Sequence, residues 1–266
     1  MLNNKHCIFH MKPSYRTIFV SDLHLRAGES QAQVFADFLK NHDCDNLYMV
    51  GDMIDGWKLQ RRWYWPQSHS NALRKVLTKA NRGCRVVYIT GNHDEFIRSF
   101  LPDFDSFGAI EIVNHTLYQD LQGRQWFVTH GDMFDAVTRH WKWISKVGDR
   151  LYTMLLELNR ILAWARRFFG LGYWSLSQYA KQNTKQAVSF IAKFEEHLAR
   201  HAHTQSCHGI ICGHIHTPAI KKIQDVTYMN TGDFCETCSA LVETHEGVWQ
   251  LLQLQSDNTW KVIQQL

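Results

Sequence analysis

Five short apolar runs, rich in β-branched or aromatic residues, are each cut off by a polar cluster. This rhythm constrains the fold of the 266-residue chain more than any other feature. Thr17–Val20 precedes Ser21-Asp22-Leu23-His24, and Leu47–Val50 precedes Gly51-Asp52. Val86–Thr90 runs into Gly91-Asn92-His93-Asp94, Trp126–Thr129 into His130-Gly131-Asp132, and Gly209–Cys212 into Gly213-His214-Ile215-His216. Between the first three lie Gln31–Lys40 and Asn71–Asn81, where apolar residues recur at helical spacing. Strands alternating with helices predict an α/β layer architecture, and polar clusters past strand carboxyl ends are where such sheets place their sites. Further on, Val226–Asn230, Ala240–Thr244, Val248–Gln255 and Trp260–Gln264 read as strands forming a meander or a second sheet, with a turn at His245–Gly247. Two sheets packed together with helices outside is the simplest assembly.

Residues 137–201 interrupt the alternation. Their apolar positions fall three or four apart, as in helices, and they carry Trp141, Trp143, Trp164, Phe168, Phe169, Tyr173 and Trp174. Two readings of this aromatic helical insertion stand together: a hairpin packed on the domain, or a lid with an apolar or membrane-facing side. Residues 1–14 are expected to be a loose tail and 15–266 one domain containing the insertion. The tail lacks the apolar core of a secretory signal, and no run of 18 apolar residues spans a membrane. With 45% hydrophobic residues the chain can bury a sizeable core without disulfides. Its 7 scattered cysteines, an odd number, fit reduced thiols in a cytoplasmic protein, and Cys235-x-x-Cys238 has no second pair to complete a zinc site. A formal charge of +4 is too small to argue for nucleic acid.

The clusters themselves carry the chemistry. Asp-x-His (Asp22, His24), Gly-Asp-x-x-Asp (Asp52, Asp55), Gly-Asn-His-Asp (Asn92 to Asp94), His-Gly-Asp (His130 to Asp132) and Gly-His-x-His (His214, His216) supply carboxylate, amide carbonyl and imidazole together. That donor set suits divalent ions such as Mn²⁺, Fe²⁺ or Zn²⁺. A single Asp-x-His means little; five such clusters, each after a strand, do not arise by accident.

In this order the motifs resemble the calcineurin-like binuclear metallophosphoesterases over residues 17–216. The resemblance implies a four-layer αββα sandwich with a helical cap insertion and two metals at the strand ends, Mn²⁺ first among the candidates. By position, Asp22, His24 and His216 would hold one metal and Asn92, His130 and His214 the other, with Asp52 bridging them. His93 matches the family's outer-sphere histidine, and Asp94 would orient it. Chemistry agrees: two ions clamp the attacking and leaving oxygens of a phosphoryl displacement, and a histidine beside them can donate to the leaving oxygen. Asp55 and Asp132 read as supporting carboxylates.

The Gly-Asp-x-x-Asp-x-Trp form ending at Trp57, the aromatic insertion and Asn230-Thr231-Gly232-Asp233 narrow the likeness to the UDP-2,3-diacylglucosamine pyrophosphatase group or its paralogues. That group tends to carry arginine where this chain has His93, and the stretch Trp57 to Trp65 is more like the paralogues. Arg61 and Arg62, with Trp57, are candidates for binding a phosphate and stacking on a base, against the plainer reading of a solvated loop. The expected partner is therefore a small phosphorylated substrate, lipid-linked on the narrower reading, met in the cytoplasm or at the inner membrane face. A phosphodiester, nucleotide or phosphoprotein substrate is the alternative. An inactive scaffold would lack ligands, and this chain has all seven.

Overall fold

The computed structural model describes residues 12–27, 30–59, 65–101, 104–134 and 176–266. Arg61 and Arg62, the tail to residue 11 and the aromatic stretch 135–175 lie outside these residues. Two compact units divide the chain: Met1–Asp132 with Ala199–Leu266, and Met133–Leu198. In the first unit the elements run β1 (Ser14–Val20), α1 (Ala32–Asn41), β2 (Asp43–Val50), α2 (Gly56–Leu59), α3 (Gln67–Asn81), β3 (Arg85–Ile89), α4 (Glu95–Arg98), β4 (Ser106–Phe107), β5 (Ile110–Val113), β6 (His115–Gln119) and β7 (Gln125–Thr129). A long helix, α5 (Leu176–Thr204), leads from the second unit back to β8 (Gly209–Cys212), β9 (Ala219–Ile223), β10 (Val226–Asn230), β11 (Ser239–Glu243), β12 (Trp249–Leu254) and β13 (Trp260–Gln265).

The strands form two sheets, ordered β13-β12-β11-β1-β2-β3-β5-β4 and β6-β7-β8-β10-β9. β1, β2, β3 and β5 are mutually parallel, as are β7, β8 and β10. Their apolar runs are continuous because both faces are covered. Side chains alternate with a period of two: Ile18, Val20, Leu47, Met49, Val86 and Tyr88 pack in the core that includes α1 and α3, with Phe35, Phe38, Ala72 and Val76. Phe19, Tyr48, Val50, Val87 and Ile89 turn the other way, into a core shared with Trp126, Val128, Ile211, Met229 and Trp249 of the second sheet and the meander. The outer face of the second sheet meets the end of α5, where Phe127 packs its ring edge-on to His201 at 4.8 Å. The layers are helix, sheet, sheet, helix: the expected αββα sandwich.

The carboxyl-terminal block departs from the expectation of one meander or one separate sheet. β10 pairs parallel with β8 in the second sheet, whereas β11, β12 and β13 form an antiparallel meander attached to β1 in the first. Parallel pairing puts the carboxyl ends of β1, β2 and β3 on one edge of their sheet, and those of β7 and β8 on one edge of theirs. Every polar cluster follows one of these five ends.

Candidate metal centre

The turns after β1 and β2 continue the strand pairing past the sheet edge. Asp22 N donates to Gly51 O at 3.0 Å, His24 N to Asp52 O at 2.9 Å and Leu25 N to Met53 O at 2.9 Å. Within these turns Asp22, His24 and Asp52 take φ of 52°, 46° and 54°, and His214 and His216 take 71° and 54°. This left-handed region is uncommon for non-glycine residues, and such strain collects at functional sites. Two glycines make room for the side chains. A Cβ on Gly91 would lie 2.1 Å from Asp52 Oδ1, and one on Gly51, itself at φ +84°, 2.3 Å from His130 Nδ1.

The result is a ring of donors around buried carboxylates. His216 Nε2 lies 3.2 Å and His24 Nε2 3.7 Å from Asp22 Oδ1. Asp52 Oδ2 faces His130 Nε2 at 3.3 Å, His24 Nε2 at 3.8 Å and His93 Nε2 at 4.0 Å. His130 Nδ1 bonds Val50 O at 2.9 Å, which turns Nε2 toward His214 Nδ1, 3.2 Å away. Ligand atoms of Asp22, His24 and His216, and separately of Asp52, His130 and His214, all lie within 4.8 Å of one another, close enough to share an ion.

Electrostatics and unmet bonding both call for cations here. Burial opposes ionisation of Asp22, but His216 and His130 outweigh it and hold the carboxyl well below the usual range. Asp52 is lowered in the same way, burial being outweighed chiefly by His130. Burial would likewise lower the imidazoles, yet Asp52 and Asp22 hold His130 up at about 10, and Asp22 holds His216 up at about 11. Asn92 Oδ1 is buried and accepts no hydrogen bond among the described residues, and Asp22 Oδ1 has the imidazole nitrogens of His216 and His24 beside it at 3.2 and 3.7 Å. Buried polar atoms are almost always satisfied, so the unmet Asn92 oxygen and the close set of imidazoles around the Asp22 and Asp52 carboxylates fit divalent ions.

Around this ring the structure corrects one expectation. Asp94 does not orient His93: its oxygens accept from Met53 N at 3.2 Å, Ile54 N at 2.9 Å and Gly91 N at 3.3 Å, so it braces the turn that carries Asp52. Burial and the Asp52 charge push its carboxyl up to about 6. The carboxylate beside His93 is Asp55, whose Oδ1 is 3.3 Å from Nδ1. Trp57 lies against the same ring, centroids 4.2 Å apart, and stays 42% exposed. Asp132 is bound by Arg98 through both its oxygens, at 2.8 and 3.0 Å.

Asp233 was not singled out by sequence reasoning, although the Asn230-Thr231-Gly232-Asp233 segment was noted. Its Oδ2 sits 3.6 Å from His216 Nδ1, while Oδ1 accepts from the backbone of Cys235, Glu236 and Thr237. Cys235 serves the same loop through a 3.5 Å contact from Sγ to Asp22 O.

The sequence profile of the calcineurin-like phosphoesterases matches residues 15–218, spanning every cluster. The chain belongs to that family. It is a phosphoesterase of the hydrolase class, and the family implies divalent metal ions. A protein named UDP-2,3-diacylglucosamine hydrolase from Shewanella sp. (strain ANA-3) is 26% identical over 244 residues, covering 88% of this chain and 95% of that protein. One of the same name from Pectobacterium carotovorum is 26% identical over 218 residues, covering 78% and 84%. Among solved structures, the Yfce phosphoesterase of E. coli aligns over 94% of this chain and 97% of its own with a TM-score of 0.45 and 14% identity. That last likeness is too remote to bear on activity.

Proposed function

We propose that this phosphoesterase uses two divalent ions, Mn²⁺ first among the candidates, to hydrolyse a phosphate anhydride or ester in a nucleotide-linked diacyl sugar. One observation carries the reading: the ligand triads Asp22/His24/His216 and Asp52/His130/His214 converge at the strand ends, with His24, Asp52 and His93 forming a third group that draws one member from each. Asp22, His24 and His216 would hold one ion, and Asn92, His130 and His214 the other. Asp52 would serve both, since its Oδ2 faces His24 and His130 together.

When bound, the ions supply Lewis acidity to the phosphoryl group and to the attacking water. The chain's own contribution centres on His93. Asp55 Oδ1 lies 3.3 Å from Nδ1, and Nε2 lies 4.0 Å from Asp52 Oδ2, facing the site. From there it can give a proton to the departing oxygen or a hydrogen bond to the developing charge. Trp57 limits the ring's rotation and offers an exposed indole face at the rim, suited to a base or an apolar group. The diacyl-sugar substrate is supported by the relatives of that name, and an acylated substrate would be met at the cytoplasmic membrane face. Histidine at 93, in place of the arginine usual in the lipid-directed group, favours a second reading, a phosphodiester substrate of another class.

The test is a Mn²⁺-loaded screen following UMP release from UDP-2,3-diacylglucosamine, beside a UDP-sugar without acyl chains and bis(p-nitrophenyl) phosphate. UMP release preferring the acylated compound supports the first reading, and turnover of the diester alone supports the second. Protein that holds two ions and hydrolyses none of the three would refute both. Asp52→Ala should lose both ions in metal analysis.

A further inference from the structure

The helical side of the first sheet is incompletely covered. β3 crosses to the parallel strand β5 with only the four-residue α4 and the two-residue β4 as described elements between them. Such crossovers usually carry a covering helix. Beneath lies a cavity of about 330 Å³. Every lining side chain is apolar except Tyr88, whose hydroxyl is buried next to Asp94.

The shape follows from the strands. The lining runs from Leu23 after β1, through Met49 of β2 and Tyr88 of β3, to Ile112 of β5, four adjacent strands. Three strand spacings make this about 14 Å. An apolar cavity of about 150 Å³ takes up the six carbons of benzene, so this one has room for roughly a dozen carbons in an elongated space. Leu25 and Ile54 both line it, and their backbones are joined by a parallel bridge. That bridge places the cavity behind the metal-binding turns. The lining residues that reach solvent most are Leu77 and Phe107, and exposed Phe96, Phe100 and Phe104 precede Phe107 in the chain. Large apolar side chains exposed together mark a binding surface.

We propose that this cavity is a binding site, separate from the phosphoesterase centre, for one unbranched alkyl chain of about twelve carbons. The chain enters between Leu77 and Phe107 and leaves its polar head in solvent. A lining apolar but for the Tyr88 hydroxyl, with no cation or donor array, selects the chain rather than the head. Residues flanking Asp22, His24 and Asp52 form its inner wall, so occupancy fills space directly behind those turns.

The probe is 11-(dansylamino)undecanoate, titrated into the full-length protein. Expected is saturable one-to-one binding with a blue-shifted emission, displaced by dodecanoate and unaffected by UMP, inorganic phosphate or metal chelation. Ala72→Phe, which fills the cavity, should weaken binding at least about tenfold. Leu77→Asp with Phe107→Asp charges the exposed mouth without touching the core, and should weaken it similarly while the thermal midpoint holds. If Ala72→Phe does not fold, the mouth variant decides. Undiminished binding in the mouth variant, or no saturable binding in the parent, overturns the proposal. A second arm uses phosphatidylglycerol vesicles. Cosedimentation that the mouth variant abolishes, in protein that binds the probe, identifies a membrane lipid as the source of the chain. Cosedimentation without probe binding assigns the exposed phenylalanines to surface contact and overturns the cavity site.

Discussion

Replacing Arg98 with Met should cost about 3 kcal/mol and loosen one ion position selectively. The guanidinium makes a fork to Asp132, Nη1 to Oδ2 at 2.8 Å and Nη2 to Oδ1 at 3.0 Å. It also reaches Thr90, Nε to Oγ1 at 3.0 Å and Nη2 to the carbonyl at 2.9 Å. It therefore straps the end of β3 to the loop after β7, and Asn92 and His130 each lie two residues from an anchor. Breaking a buried pair costs about 3–5 kcal/mol. Arg98 is 29% exposed and the carboxylate 8%, so solvent screening places the loss at the lower end. With a urea m-value near 3 kcal/mol/M the midpoint should fall by about 1 M. Groups that orient ligands are worth roughly 10–100-fold in metal affinity, and only the Asn92/His130/His214 position should show it. Arg98→Lys keeps the charge without the fork and should fall between. Chelator competition with metal analysis, run beside urea unfolding of the metal-free protein, separates the two effects. Wild-type stability with both ions held normally would refute the strap, and equal weakening of both ions would make it a general stabiliser.

Removing His93 as His93→Ala should lower kcat by about 10²–10⁴-fold with metal content intact, and less for substrates whose leaving group is already a stable anion; equal losses for poor and good leaving groups would remove the proton-donor role. Gly91→Ala should impair metal retention, because its Cβ meets Asp52 Oδ1 and backbone N at 2.1 and 2.6 Å; metal analysis showing two tightly held ions would contradict this. Asp120 is buried and accepts from Trp126 Nε1 at 2.9 Å and Arg124 Nε at 2.7 Å, which outweigh burial and lower its pKa. A carboxyl lowered on folding adds stability that is full above its unfolded pKa, about 3.9, and disappears as pH falls through the folded value. Asp120→Asn should thus cost about 1–3 kcal/mol at pH 7, with the gap to wild type closing below about pH 4 in denaturant titrations; a gap independent of pH would show that the charge plays no part.

What the sequence made legible follows from where physics acts locally. The ends of β1, β2, β3, β7 and β8 could be read because doubly covered strands need unbroken apolar runs, and ion ligands need particular side chains. Polar Asp43–Asn46 hid the first half of β2, and the edge or partly exposed strands β6 and β9 carry too little apolar pattern to stand out. The division of the final strands between two sheets rests on long-range pairing, β10 with β8 and β11 with β1, that no local pattern encodes. The same limit explains the two supporting carboxylates. Asp94 adjoins His93 in sequence, yet its oxygens are taken by backbone amides, and the carboxylate at Nδ1 comes from Asp55 on another turn. Asp233 reaches His216 across the fold and had no local sign beyond its motif.

Backbone geometry was equally invisible, and it bears on how the centre is built. Asp22, His24, Asp52, His214 and His216 have the donors an ion needs but occupy a backbone region that disfavours their side chains. Relaxing any one of them would lower local strain, so something must hold them. For the first three that is the extended β1–β2 pairing, Asp22 to Gly51, His24 to Asp52 and Leu25 to Met53, with Asp55 N returning to Leu25 O at 2.9 Å. For His214 it is Asp22 itself, whose Oδ2 accepts the His214 amide at 2.9 Å. A carboxylate proposed to bind an ion therefore also fixes the turn that carries another proposed ligand. The strain is met by the sheets and their cores, which hold the donors in position.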